Sequence, residues 1–295
     1  MLNFKSVELE DKKLLEPYLR SSQYNNCDFS FTNVYMWRKK YRTSWALCGG
    51  RLVLLSGEKV FLMPLGSGPL EPVLREMMDY ARDKSHPFVI GAVTPQMWEE
   101  LQACMPGAFE YTTDRDYCDY LYAGEKLANL AGKKLHSKRN HINKFKATYP
   151  DYSYETITAD NLPEVVEMHS QWCVINHCVQ DPELLEESCA VRDVLRHYEA
   201  LEVQGGLLRA GGRVVAFSIG QPINDQCYDV CIEKAFYDVN GAYTMINQQF
   251  VQHNCQGFAW INREEDLGLE GLRKAKTSYY PEILLDKGTV CLQEE

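Results

Sequence analysis

No apolar run in this 295-residue chain approaches the ~20 residues that a membrane-crossing helix needs. The opening residues, MLNFKSVELEDKKLLEPYL, lack a basic stretch followed by an apolar one, so they do not read as a secretory signal. A cytoplasmic location is the expectation. No CxxC pair occurs among the eleven cysteines. A disulfide framework is therefore not expected, and the thiols should be reduced and mostly buried, as small hydrophobes. Positive charge is in deficit, with 31 Lys and Arg against 41 Asp and Glu, a net charge of −10. That excludes adhesion of the whole surface to nucleic acid or anionic lipid, though not a local basic patch. Nor is there a Ser-His-Asp or Cys-His signature of an activated enzyme nucleophile.

What is present suits a globular protein of two domains. Hydrophobic residues make up 45% and charged residues 24%, ordinary values for such a chain. The first half reads as a helix over 9–20, three short strands (44–47, 52–55, 60–63), a helix over 70–84, a strand at 88–93, a helix over 95–105 and a strand at 117–122. Gly49-Gly50 and Ser56-Gly57-Glu58-Lys59 supply hairpin turns. Thr94 and Pro95 suit the cap and first position of a helix. The second half repeats this order: helices over 161–177 and 183–204, strands at 206–210, 214–222 and 227–236, a helix over 243–254, a strand at 257–261, a helix over 269–279, and a final strand or hairpin from 282–285 and 289–292. Two like α/β domains are the simplest account, 1–130 and 131–295, with a basic linker helix over 131–149.

That linker is rich in cations. Lys133, Lys134, Lys138, Arg139, Lys144 and Lys146 fall within fourteen residues that hold no acid. Lys134, Lys138, Arg139 and Lys144 form a candidate face for a phosphate backbone. A solvated helix balancing an acidic protein is the alternative. Elsewhere, His169, Cys173 and His177 stand four apart with Cys178 adjacent, a pattern that suits zinc on a helix. No fourth ligand is apparent, so a core helix is preferred and no metal is expected.

A meander followed by a helix resembles acetyltransferase-like folds, in which the turn before the helix offers backbone N–H groups to a pyrophosphate. Here that turn, 237–243, has one glycine and an acid, Asp238. An ordinary capped turn is preferred, and coenzyme A is disfavoured. Glu233, near the end of the third strand of the meander, is placed to accept a proton from an attacking amine or hydroxyl. A surface carboxylate paired with Lys234 or Arg213 is the alternative.

The segment 262–281, NREEDLGLEGLRKAKTSYYP, places an acidic turn after a strand and a basic helix after the turn. Carboxylates suit an amino group, and cations suit a carboxyl or phosphate group. Asp266, just before Gly268, can accept from an ammonium, and Arg273 with Lys276 can reach one anion. Simple matching of the helix macrodipole accounts for the pattern equally well.

The same segment resembles the C-terminal signature of the phosphatidylglycerol lysyltransferase catalytic-domain family. Residues 133–145, KKLHSKRNHINKF, and 116–122, DYCDYLY, resemble the soluble branch of that family. The resemblance runs from about residue 114 to 281. It implies an α/β (α+β) chain of two tandem GNAT-like (acyl-CoA N-acyltransferase-like) domains, with mixed sheets flanked by helices, related to the Fem aminoacyltransferases. It also implies an aminoacyl-tRNA donor, with coenzyme A less favoured, and a hydroxyl or amine acceptor on a lipid headgroup or small molecule. On these grounds Glu233 and Lys276 are the candidate catalytic residues. Asp266, Arg273, Asn262, Gly268 and Tyr279 are the candidate substrate-binding residues. The competing expectations are an acyl-CoA-dependent N-acyltransferase and a non-catalytic binding protein that keeps the fold.

Overall fold

A computed structural model describes residues 2–293. The chain divides into two compact units, but not at the middle of the sequence. The first gathers the residues up to Tyr120, Glu264–Arg273 and the chain from Leu284 onward; the second gathers Leu121–Arg263 and Lys274–Ile283. This differs from the expected division into 1–130 and 131–295, because late segments return to complete the first unit.

In the first unit the strands are β1 (Lys5–Ser6), β2 (Ser44–Cys48), β3 (Arg51–Ser56), β4 (Val60–Phe61), β5 (Leu65–Gly66), β6 (Val89–Val93) and β7 (Phe109–Thr113). Its main helices are α1 (Lys12–Ser21), α2 (Phe31–Met36), α3 (Leu70–Asp83) and α4 (Pro95–Cys104). The periodicity that predicts α3 is the one that packs: Val73, Leu74, Met77 and Ala81 are buried along one stripe. Thr94 caps α4, its hydroxyl accepting from the Met97 amide with Pro95 in the first turn.

The chain then passes through β8 (Asp119–Ala123) into the second unit. There α5 (Gly124–Asn129), α6 (His136–Thr148), β9 (Ser153–Thr156), α7 (Leu162–Ile175), α8 (Pro182–Arg196) and α9 (Tyr198–Leu201) precede a long meander. The meander comprises β10 (Gln204–Ala210), β11 (Arg213–Pro222) and β12 (Cys227–Ala235), followed by α10 (Ala242–Asn254) and β13 (Trp260–Asn262). Last come α11 (Glu270–Thr277), β14 (Ile283–Leu285) and β15 (Gly288–Leu292). Fully buried Tyr228 packs edge-on against Phe250 of α10, and fully buried Phe217 lies edge-on to His169 of α7, each stabilising the fold by about 1.5–3 kcal/mol.

The sheet of the first unit runs β1-β2-β3-β4-β6-β15-β7, with β5 on β3; the other runs β14-β8-β13-β12-β11-β10-β9. Both are mixed, with β4–β6 parallel in one and β12–β13 parallel in the other. The two sheets share a device. The strand beside β6 is β15, from the end of the chain, and the strand beside β13 is β8, from the end of the first half. The final segment is therefore not one strand or a hairpin: β14 and β15 enter different sheets. The helix expected over 161–177 stops at Ile175, and His177 takes a left-handed conformation at φ 53°. His169 and Cys173 share a helix, and His177 lies beyond it. Among the described residues all eleven cysteines are free thiols.

Candidate functional site

β12 and β13 pair as parallel neighbours over three registers only, Cys227 with Trp260, Tyr228 with Ile261 and Asp229 with Asn262. Beyond that point β12 continues to Ala235 while the other strand ends. Glu233 lies on this extension, and Arg263 follows Asn262 directly. Across the opening, Arg263 Nη2 donates to Glu233 Oε1 at 2.9 Å, both side chains being 12% exposed. Asn247 of α10, almost wholly buried, donates from Nδ2 to Glu233 Oε2 at 3.0 Å. Among the described residues, Arg263 Nη1 and Asn247 Oδ1 are buried without a hydrogen-bond partner.

Two further groups complete this cluster. The buried Tyr279 ring has the Arg263 guanidinium 4.9 Å from its centroid and the Lys138 ammonium at 3.8 Å. Tyr122 of β8 packs edge-on to Tyr279 at 6.3 Å and donates its hydroxyl to the Lys276 carbonyl at 2.7 Å. Burial, reinforced by the neighbouring Arg263 charge and opposed by Glu233, lowers the pKa of Lys138 to about 8. For Arg263 burial works against the charge, but Glu233, Tyr122 and Tyr279 together outweigh it and the guanidinium stays firmly ionised. Tyr279 is pushed up, chiefly by burial.

The basic run of α6 thus has mixed uses. Lys138 turns onto Tyr279, and Lys134 lies 5.3 Å from the Tyr280 ring. Arg139 donates to the carbonyls of Leu130 and Gly132, closing the end of α5. Lys144 is exposed to solvent. A half-open polar groove beside them is lined by His136, Arg139, Asn143, Lys146 and Gln248. The start of α10 is packed as well. Gly241, at φ 87°, lies so close to α6 that a Cβ there would stand 2.7 Å from the His141 carbonyl oxygen and 3.1 Å from Phe145. The single glycine of the 237–243 turn is therefore required by helix packing.

In the first unit, Asp266 and Arg273 are spent on each other. Arg273 donates to both Asp266 oxygens, at 2.9 and 2.8 Å, and also pairs with Asp116. Asp266, fully buried, accepts in addition from Tyr120, from Arg115 at 3.3 Å and from the Gly268 amide at 2.9 Å. Burial works to raise its pKa, but the bonds from Arg273, Tyr120 and Gly268 outweigh it and hold the carboxyl well below the usual range. Gly268 sits at φ 75° with Asp116 Oδ2 2.7 Å from where a Cβ would stand, so a larger residue would be strained here and would displace Asp116. The residues expected to hold an ammonium and an anion thus form a closed knot that shapes the 264–273 loop. Lys276 is buried in the second unit, as is Asn262 at the end of β13.

A second buried knot in the first unit was not foreseen. Lys287 reaches Asp119 at 2.8 Å, Asp28 at 3.1 Å and Glu265 at 3.3 Å. Cys27, Asp119 and Glu265 lie close enough together to ligate an ion, but the Lys287 ammonium already supplies the positive charge among them. Burial, with Glu265 and Asp28 adding to it and Lys287 opposing, raises Asp119 to about 6. His169 is buried beside Ser188 and Cys173, and burial lowers its pKa to about 4. Arg263 and Asn247 were also missed. Arg263 directly follows the strand and Asn247 lies within an amphipathic helix, so no local pattern marked either.

No helix among the described residues is long and apolar enough to cross a membrane. Residues 19–287 match the family model described as phosphatidylglycerol lysyltransferase, C-terminal. A conserved protein of unknown function from Bacteroides thetaiotaomicron is 42% identical, covering 99% of this chain and 100% of its own, with a TM-score of 0.94. The C-terminal domain of an Agrobacterium fabrum protein assigned as a lysylphosphatidylglycerol synthetase superposes with a TM-score of 0.69 at 12% identity, covering 97% of this chain and 92% of its own. A GNAT-family acetyltransferase from Colwellia psychrerythraea does so at 0.51 and 11% identity, over 99% of this chain and 100% of its own. The fold is accordingly two GNAT-like units in tandem. An uncharacterised protein of Mycoplasmoides gallisepticum is 24% identical over 175 residues, 57% of this chain; the chain spans about half the length of that curated relative, 54%. On the match across residues 19–287, the chain belongs to the phosphatidylglycerol lysyltransferase C-terminal domain family.

Proposed function

We propose that the chain is an aminoacyltransferase that moves an aminoacyl group from aminoacyl-tRNA to a hydroxyl or amine of a lipid headgroup or small molecule. The observation that carries this reading is the half-buried Glu233–Arg263–Lys138 cluster on the buried Tyr279 ring, where β12 and β13 part. It occurs in a family named for lysyl transfer to phosphatidylglycerol. An aminoacyl ester is already activated, so a protein needs chiefly to hold it, accept a proton and stabilise the oxyanion.

Each requirement has a residue. With its pKa near 8, Lys138 is about one-quarter neutral at pH 7.5, and a neutral amine accepts a proton from the attacking hydroxyl. The acceptor oxygen bonds to the carbonyl carbon as the bond to the ribose oxygen of the tRNA breaks, and the proton passes by way of Lys138 to that leaving oxygen. Arg263 Nη1 offers its unspent hydrogen bond to the oxyanion. Glu233 is fully engaged, and its part is to hold Arg263 and Asn247 in place. Exposed Lys144 offers a phosphate contact on α6. The packing of α6 against Gly241 favours this donor over coenzyme A, since it puts a carbonyl oxygen where a pyrophosphate would approach.

Incubation with a mixed pool of charged tRNAs, phosphatidylglycerol vesicles and small amines tests the reading. At least one aminoacyl ester should disappear faster than in the blank, and Lys138→Met should slow that loss ~100-fold or more. Lys144→Glu should weaken tRNA binding and lower its salt dependence by about one counterion. No accelerated loss of any ester, together with thermal stabilisation by an acyl-coenzyme A, refutes it.

A further inference from the structure

The groove beside α6 is lined differently from a solvated basic face. It has a volume of about 250 Å³, and four side-chain amides line it: Asn129, Asn140, Asn143 and Gln248. His136, Arg139 and Lys146 are its basic groups. No carboxylate is among the lining residues, in a chain of net charge −10. Along α6, His136, Arg139, Asn140, Asn143 and Lys146 recur at spacings of three and four, so one side of the helix carries them all. Leu135, Ile142 and Phe145 are buried and hold the helix down.

The hydrogen-bonding capacity left in the groove is of both kinds. Asn140 donates from Nδ2 to His136 Nδ1 at 3.2 Å, which leaves the other ring nitrogen as a donor and the Asn140 carbonyl as an acceptor. Gln248 donates to the Ala128 carbonyl at 3.1 Å and keeps its own carbonyl as an acceptor. Arg139 spends Nη1 on the Leu130 and Gly132 carbonyls and retains Nε and Nη2. Among the described residues the amides of Asn129 and Asn143 have no hydrogen-bond partner. A phosphate ion only accepts, and it would leave the amide carbonyls idle. A nucleobase edge carries donors and acceptors side by side, which amides match. The cations flank the amides: Arg139 and Lys146 stand about 10 Å apart along the helix axis, so each can meet one of the two phosphates that flank a nucleotide. A space this small takes one nucleotide of a single strand, whose base can splay out, and no duplex.

Lys138 belongs to the same helix, about 7.5 Å along its axis from Asn143. A strand lying in the groove therefore brings its next residue toward the Tyr279 ring, where Lys138 stands. Resting on the reading given under Proposed function, we infer that this groove holds one nucleotide of the single-stranded 3′ end of the tRNA, its base edge on the amides and its flanking phosphates on Arg139 and Lys146. This contact reads a base, unlike the phosphate contact of Lys144.

The experiment titrates the whole chain by calorimetry with the ribotrinucleotide CCA, the 3′ terminus common to tRNAs. CMP, inorganic phosphate, glucose 6-phosphate and a blunt RNA duplex are titrated beside it. CCA should bind at least tenfold more tightly than any of the others. Asn143→Asp keeps the shape and sets a carboxylate among the phosphates; it should weaken CCA at least tenfold without moving the melting temperature. Lys146→Gln should lower the salt dependence of CCA binding by about one counterion. In the ester-loss assay, Asn143→Asp should raise KM for the charged tRNA about tenfold and leave kcat unchanged. CMP, phosphate or the sugar phosphate binding as tightly as CCA overturns the inference, because the groove would then take a free anion. So does equal binding of the duplex, or CCA binding that Asn143→Asp leaves unmoved. CCA binding with no ester consumed overturns aminoacyl transfer and leaves the groove standing. An ester consumed without CCA binding overturns the groove alone, and failure of both overturns both.

Discussion

The Glu233–Arg263 pair permits a sharp test, because both side chains are 12% exposed and the pair spans the point where two strands separate. Glu233→Gln keeps the shape and removes the charge. Arg263 is then left as a buried cation, its Nη1 already without a partner among the described residues. Removing one partner of a buried pair costs about 3–5 kcal/mol, a large share of the roughly 5–15 kcal/mol that stabilises a typical domain. Arg263→Met should cost a similar amount by stranding the carboxylate. The double variant Glu233→Gln/Arg263→Met strands neither charge, and Tyr279 and Tyr122 line the space that a methionine would fill. Its loss should fall short of the sum of the single losses by about 2–3 kcal/mol. Two compact units make a single unfolding curve a poor measure. Hydrogen exchange read on the amides of β12 and α10 reports the affected region directly. Losses that add to within about 0.5 kcal/mol would show that the two groups do not hold one another.

Other consequences follow from the same geometry. Transfer activity should rise with pH through about 8, the Lys138 value, because the neutral amine is the active form; Lys138→Met should remove that limb of the pH–rate profile. The same lowered pKa means that the unfolded chain binds more protons above pH 8, so thermal stability around Lys138 should rise between about pH 8 and 10. Asp266→Asn should lower the melting temperature at pH 7. Because the folded carboxyl lies below its ordinary value, the stabilisation is present above about pH 4 and fades below it; the gap between parent and variant, followed by calorimetry, should shrink there. Loss of activity from Asp266→Asn with an unchanged melting temperature would instead show a carboxylate serving a ligand. Gly241→Ala should cost about 1–3 kcal/mol, since it adds a side chain at φ 87° against the His141 carbonyl; an unchanged melting temperature would contradict that packing.

Much of the fold was legible in the residues. Apolar spacing found α3 nearly to its ends, Thr94-Pro95 marked the start of α4, and the turn residues located β2, β3 and the β10–β12 meander. These are short-range signals, since a helix stripe or a hairpin turn is set by residues a few places apart. The same locality hid β7 and β9, which are only 5 and 4 residues long, and misplaced the end of α7. The candidate site was legible in part. Glu233, expected as a base, and Tyr279, expected as a substrate contact, stand in one cluster; Lys138, expected at a phosphate backbone, lies on the Tyr279 ring, and Arg263 carried no local signal.

The sequence by itself determined the composition of the elements, their doubled order and the chemistry concentrated in 133–146 and 262–281. Only the tertiary structure decided who pairs with whom. It sent β15 to β6 and β8 to β13, a choice made by sheet edges far apart in the chain. It bound Asp266, expected to hold a ligand, to Arg273, expected to do the same. It also set Arg263 against Glu233, thirty residues away, and laid Lys138 on Tyr279. Charge matching in a buried space depends on distance and the exclusion of water, and neither is written in the order of the residues.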